Sequence, residues 1–419
     1  MKFNKKIILI GLGFFTVTVA WSVYNAFVPV FLDKLIDNTV LIGFVMTFDN
    51  ISGVILQPYF GSLSDRTNTR FGRRMPFLLI GIPIAAVALT LIPFHVNLLS
   101  LMGAIIVMNF GMSIYRAPVV AMMPDCTLEH KRSQANGIIN LMGGLGTLIA
   151  FLLGGMLFDY NEKLPFFACA AIMVLAVVIL AIFYKEPSAP LYDQPDTNNH
   201  EDADETEIAE KKTRNILKRI NIAFVEHKEL ILLLVAVFFL FCGYNAIETY
   251  LSLYSTYILN ITPGDAAFLF ALLAGSFLVS SIPAGYVGEK IGRLKSMIIG
   301  LVVISICLTF IMVYPVKQVV QILMILSGFC WALVMINSYP YVVSLAPKNK
   351  TGKYTGYYYF FSFFASIVSP LLFGAIVDWI DDYAVLFFYS ATMFLIALCF
   401  LIPLYIMKNS RKKISHEQS

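Results

Sequence analysis

Twelve apolar stretches, each long enough to cross a bilayer, constrain this chain more than any other feature. They run over 7–32, 41–63, 76–94, 98–122, 138–158, 164–184, 230–258, 266–287, 297–313, 319–345, 357–377 and 384–407. About twenty residues of helix span the hydrocarbon, and only helices or closed barrels satisfy their backbone there. The chain is therefore expected to be an all-α integral membrane protein. Its charged fraction of 13% and mean hydropathy of +0.77 agree, since soluble domains carry about a quarter charged residues.

An even number of spans puts both termini on one side, and the basic residues say which. All but four of the 30 Lys and Arg fall in the two tails or in connections on the side of the termini; the exceptions are Lys34, Lys163, Lys317 and the intramembrane Arg116. Basic residues resist translocation, so both termini are expected in the cytoplasm of a cell whose plasma membrane holds the protein. The run after Lys2, Lys5 and Lys6 continues to Leu32, too long for a signal peptide, and is expected to remain as a first span. A net charge of +4 so distributed reports orientation and no nucleic-acid partner.

The chain divides at residues 185–229, where Pro187, Pro190, Pro195 and an acidic run from His200 interrupt the apolar pattern. The expected layout is a six-helix bundle at 1–184, a cytoplasmic linker at 185–229, a second bundle at 230–407 and a cytoplasmic tail at 408–419. The two halves repeat each other. Tyr24-Asn25-Ala26 returns 220 positions later as Tyr244-Asn245-Ala246, and Gly155…Asp159 returns 219 later as Gly374…Asp378. Similar offsets at separate places argue for a duplicated unit with its site between the copies, near the midplane.

Ionisable side chains in hydrocarbon cost at least about 2.5–3.5 kcal/mol each, so they are functional candidates. Three stand out: Asp49 in span two, Arg116 in span four and Glu248 in span seven. They are the expected proton-coupling groups, with Arg116 also offered to substrate; a passive ion pair that joins helices is the competing account. Trp21, Tyr24 and Asn25, Tyr115, Asn245 and Glu248, and Trp331, Asn337 and Tyr339 sit on spans one, four, seven and ten. Together they suit a small polar molecule with stackable apolar faces. His95, His130, His200, His227 and His416 all lie in loops, tails or span ends, which leaves carboxylates as proton carriers. Six cysteines without paired spacing imply neither disulfides nor a metal site, and no cofactor is expected. A membrane enzyme is disfavoured for want of a nucleophilic or metal constellation.

Between spans two and three stands Gly61…Asp65-Arg66…Arg70-Phe71-Gly72-Arg73-Arg74, and a reduced copy, Gly285…Gly288-Glu289-Lys290…Gly292-Arg293, follows 224 positions later. This pattern resembles the cytoplasmic loop of the major facilitator superfamily. The resemblance implies two six-helix bundles working by alternating access, with Gly61, Asp65, Arg66, Arg70, Gly72, Arg73, Glu289 and Arg293 as gating residues that pair charges between helices. Gln57-Pro58, Ser64-Asp65-Arg66 and Arg70-Phe71-Gly72-Arg73-Arg74-Met75-Pro76-Phe77 are similar to the sucrose–proton symporter group, and more distantly to the glycoside-pentoside-hexuronide cation symporters. That likeness implies symport of a disaccharide, oligosaccharide or glycoside by a monomer, with a proton as coupling ion and sodium left open. Drug or metabolite efflux on the same fold is the alternative. The plant members carry a span-four aspartate where this chain has Ile105, so coupling here is expected to rest on Asp49 or Glu248.

Overall fold

The computed structural model describes residues 3–128, 131–186, 228–347 and 350–417. It contains twelve helical spans among these residues: Lys6–Asp33, Thr39–Arg66, Met75–Phe94, Leu98–Asp125, Gln134–Tyr160, Leu164–Phe183, Lys228–Tyr257, Pro263–Ile291, Arg293–Val313, Lys317–Ser344, Thr351–Ile380 and Tyr383–Lys408. Several outrun the apolar stretches that announced them. Spans two, eight and eleven extend by a few residues at each end, because backbone hydrogen bonding continues after the side chains turn polar. Residues 187–227, most of the expected linker, lie outside the described residues. The last helix runs past its span, from Leu386 to Glu417, into the expected tail.

Span two is interrupted, which its composition does not announce. One helix ends at Met46 and another begins at Phe48. At Thr47 the backbone N–H bonds Gly43 and Phe44 carbonyls, and the hydroxyl donates to the Phe44 carbonyl at 2.7 Å. Asp49 thereby sits in the first turn of the second helix, where unpaired N–H groups favour an anion.

Lipid is as apolar as leucine, so helices associate here through close packing over small residues. A Cβ on Gly81 of span three would stand 2.9 Å from the Gly111 carbonyl oxygen of span four. In the second half, 219 positions on, a Cβ on Gly300 of span nine would stand 2.7 Å from the Cys330 carbonyl oxygen of span ten. Equivalent helices thus meet at equivalent points, as a duplicated six-helix unit requires. Span one packs on five and span seven on twelve inside the halves, while spans five and eight, and two and eleven, meet across them.

Candidate functional site

Between the halves lies a cavity of about 490 Å³. Asp49, Arg116 and Glu248 all line it. The Asn25 amide of span one donates to Glu248 Oε1 of span seven at 3.1 Å, so this carboxylate is held across the interface of the halves. Asp49 Oδ1 accepts from the Asn50 backbone N–H at 2.6 Å and from the Asn50 amide at 2.8 Å. Arg116 forms no ion pair at salt-bridge distance among the described residues; its guanidinium lies 5.9 Å from the centre of the Trp21 ring. A cation over a desolvated indole gains about 2 kcal/mol. No carboxylate pairs with the guanidinium at salt-bridge distance among the described residues, so its donors face the cavity it lines.

The sequence candidates separate into three groups. Trp21, Asn25, Asn245 and Trp331 line the cavity with the charged trio. Tyr24 stands behind the wall, fully buried and edge-on to Trp21 at 5.8 Å. Tyr115, Asn337 and Tyr339 are not among the cavity's walls. Tyr115 is fully buried and donates to the Met112 sulfur at 3.1 Å. Asn337 donates to the Ala284 carbonyl at 3.1 Å and to the Leu333 carbonyl at 2.9 Å, joining spans eight and ten. Tyr339 shares a hydrogen bond with Thr355 at 3.2 Å. Residue type and span number placed these three beside the site, but the helix faces they occupy turn them into the bundle.

Other wall residues were missed. Tyr244 stacks on Trp331 with ring centres 4.7 Å apart, and Phe151 stacks on Phe270 across the halves at 5.0 Å. Asn109 was missed as well. It lies two helical turns before Arg116 in span four, 3% exposed, with the Tyr24 hydroxyl of span one facing it. The signal was available, since a spacing of seven puts Asn109 and Arg116 on one helix face.

The charged loop is built differently from expectation. Arg74, absent from the expected gating set, is the residue at its centre: 3% exposed, bonded to Asp125 at 2.9 Å, Asp65 at 2.5 Å and the Ser64 hydroxyl. Burial opposes its charge, but Asp125 and Asp65 together hold its pKa above the ordinary value. Arg73 adds a second contact to Asp125 at 3.1 Å, and Glu186 accepts from the Arg74 backbone N–H at 2.9 Å. Gly72, at φ +104°, makes the turn beneath Glu186. Gly61 packs towards Ala117 in the same half. Arg66 and Arg70 are exposed and outside this cluster; Arg70 lies over the Phe71 ring. In the second copy Arg293 donates to the Pro340 carbonyl at 3.0 Å and Glu289 is exposed. All these pairs lie within one half, so in this conformation the loop braces spans two, three and four.

The cavity is sealed at the end away from the termini. There the Tyr250 hydroxyl meets the Thr39 and Pro370 carbonyls at 3.1 and 2.9 Å, Ser252 donates to the Ala26 carbonyl at 2.6 Å, and Tyr257 donates to Asp33 at 2.6 Å. Towards the termini a fissure of about 750 Å³ separates spans two and eleven, walled by Gly53, Gln57, Gly356, Phe360 and Phe364. It adjoins the cavity along three helices: Asn50 then Gly53, Arg116 then Ala117, and Ser366 then Ile367.

The sequence profile of the Major Facilitator Superfamily matches residues 10–277 and again 233–418. The quinolone resistance protein NorA of Staphylococcus aureus is similar along its length, 20% identical over 390 residues that cover 90% of each chain. The sucrose transport protein SUC3 of Arabidopsis thaliana is 23% identical over 194 residues, 39% of this chain and 32% of that protein. Among solved structures, an inward-facing, occupied bacterial homologue of the human lysosomal transporter Spinster superposes with a TM-score of 0.73 at 11% identity, over 96% of both chains. The chain therefore belongs to the Major Facilitator Superfamily, a family of secondary transporters and not of enzymes.

Proposed function

We propose that this chain exports a drug-like or metabolite molecule in exchange for protons, with Asp49 and Glu248 carrying the proton and Arg116 setting its release. The observation that carries the coupling is the meeting of these three groups in one cavity between the halves. A carboxylate there changes the cavity's net charge by one when it binds a proton, and in low dielectric that change is large enough to reorder which conformation is preferred. Export rather than uptake is supported by the drug-resistance relative that aligns over 90% of both chains, whereas the sucrose carrier aligns over 39% of this one. The phenylalanines Phe14, Phe151, Phe241, Phe270 and Phe277 in the walls suit an amphipathic molecule.

Uptake of a glycoside is the second reading. It is favoured by the stacked Tyr244 and Trp331 rings beside the amides of Asn25, Asn50 and Asn245, a setting fit for a sugar's apolar face and hydroxyls. Both readings take the termini as cytoplasmic, on the basic-residue asymmetry, and the two bundles as rocking bodies joined by residues 185–229. The working unit is taken as a monomer.

Proteoliposomes with an acidic lumen and an internal pH dye decide between them. Export predicts that ethidium or a quinolone added outside collapses the gradient and accumulates inside, with no response to a disaccharide panel. Disaccharide counterflow without any drug response would give the second reading its place. No response to either, with the protein correctly folded, overturns proton coupling to both classes.

A further inference from the structure

The repeat Gly155…Asp159 and Gly374…Asp378 has no part in the cavity or the charged loop. Both copies stand at the sealed end, and each reaches into the other half. Asp159, ending span five, accepts from the Gly264 backbone N–H at 3.1 Å and from the Thr262 hydroxyl at 2.9 Å, at the start of span eight. Asp378, ending span eleven, accepts from the backbone N–H groups of Thr39 at 2.7 Å and Val40 at 3.1 Å, at the start of span two. Each carboxylate thus caps the first turn of a helix in the opposite half, where N–H groups have no partner of their own and the helix dipole is positive.

The glycine four residues earlier makes the approach possible. A Cβ on Gly155 would stand 2.6 Å from the Gly264 carbonyl oxygen, and one on Gly374 would stand 2.8 Å from the Thr39 carbonyl oxygen. One helical turn therefore supplies both the close contact and the cap. The two sets are related by the same offset of 219 that relates the halves. A contact that served only to end a helix would have no reason to reach the other half twice, in symmetric positions.

We infer that Asp159 and Asp378 are paired clamps that hold the far side of the transporter shut, and that opening to that side requires both helix starts to leave their carboxylates. They act on the conformational equilibrium and touch no substrate. The inference rests on the alternating access of the family, not on which molecule is carried. Loss of one clamp lets the far side open about tenfold more often, and loss of both opens it further.

The test needs no substrate. Spin labels at Leu99→Cys and Val316→Cys, in a Cys399→Ser background, report the separation of the halves at the far side by pulsed dipolar spectroscopy. Asp159→Asn, Asp378→Asn and their combination are each compared with the parent. The expected result is a new population at longer distance, small in the single variants and dominant in the double. Gly155→Ala and Gly374→Ala, which leave both carboxylates in place, are expected to move the distribution the same way. Distributions that superpose on the parent's in the double variant overturn the inference, and a lowered Tm with unchanged distances would reduce the caps to helix-end stabilisers. If the double variant does not fold, the glycine variants decide alone: unchanged distances in both overturn it.

Discussion

Asn25 and Glu248 hold each other across the two halves, amide to carboxylate, at 3.1 Å. Because the bond joins span one to span seven, the state of Glu248 bears on both halves at once. A protonated Glu248 offers the Asn25 amide a weaker acceptor, and the bridge loosens.

Glu248→Gln is expected to keep the amide contact in a form that no longer titrates. Proton-driven flux should fall at least tenfold while exchange of substrate across the membrane at equal pH persists. Asp49→Asn is expected to share this pattern. The check is a pair of assays on one preparation, gradient-driven flux and counterflow; equal losses in both would assign the carboxylates to substrate binding instead.

Arg116 lies over an indole face, with no carboxylate at salt-bridge distance among the described residues. Arg116→Lys replaces a planar cation by a compact ammonium that stacks poorly. An apparent KM raised about tenfold is expected, corresponding to about 1.4 kcal/mol. Trp21→Phe should give a smaller effect in the same direction, because the ring remains but the cation–π attraction weakens. Concentration series for both variants separate KM from maximal rate.

Arg74→Ala removes the cation that Asp125, itself 2% exposed, depends on. Asp125 then keeps only Arg73, at 3.1 Å, so the loss is expected to stay below the about 3–5 kcal/mol of a buried acid with no partner at all. A lowered Tm in detergent is therefore expected, and Arg66→Ala, an exposed position, should leave Tm within about a degree because exposed charges contribute about 0–1 kcal/mol. Since the folded-state pKa of Arg74 lies above its ordinary value, its stabilisation is complete below that ordinary value and lost only as pH rises through the higher one. The guanidinium's part of the brace should accordingly be indifferent to pH across the range in which transport is measured.

The spans were legible because hydropathy is additive along a helix, and the intramembrane charges because each is costly wherever it points. Asp49, Arg116 and Glu248 share a cavity for that reason. The aromatic and amide candidates depended on rotation about the helix axis. Asn337 and Tyr339 are on the right span, but one faces the joint between spans eight and ten and the other faces span eleven. The charged loop was visible as a pattern, though its centre was not. Four arginines in nine residues look alike in sequence, and only packing distinguishes buried Arg74 from exposed Arg66 and Arg70.

The fissure between spans two and eleven must narrow when the cavity turns to the far side, and Gly356 lies on its wall. A Cβ added there meets nothing within 4 Å in the present conformation. Gly356→Trp should therefore fold with an unchanged or raised Tm, since a helical glycine costs about 1 kcal/mol relative to alanine. An indole in the fissure would nonetheless oppose closure. Transport is expected to fall more than tenfold, and Gly356→Ala, too small to bridge the gap, should keep most of it. Steady-state flux alongside Tm for the two variants checks this. Full flux in the tryptophan variant would mean that spans two and eleven do not close on each other during the cycle.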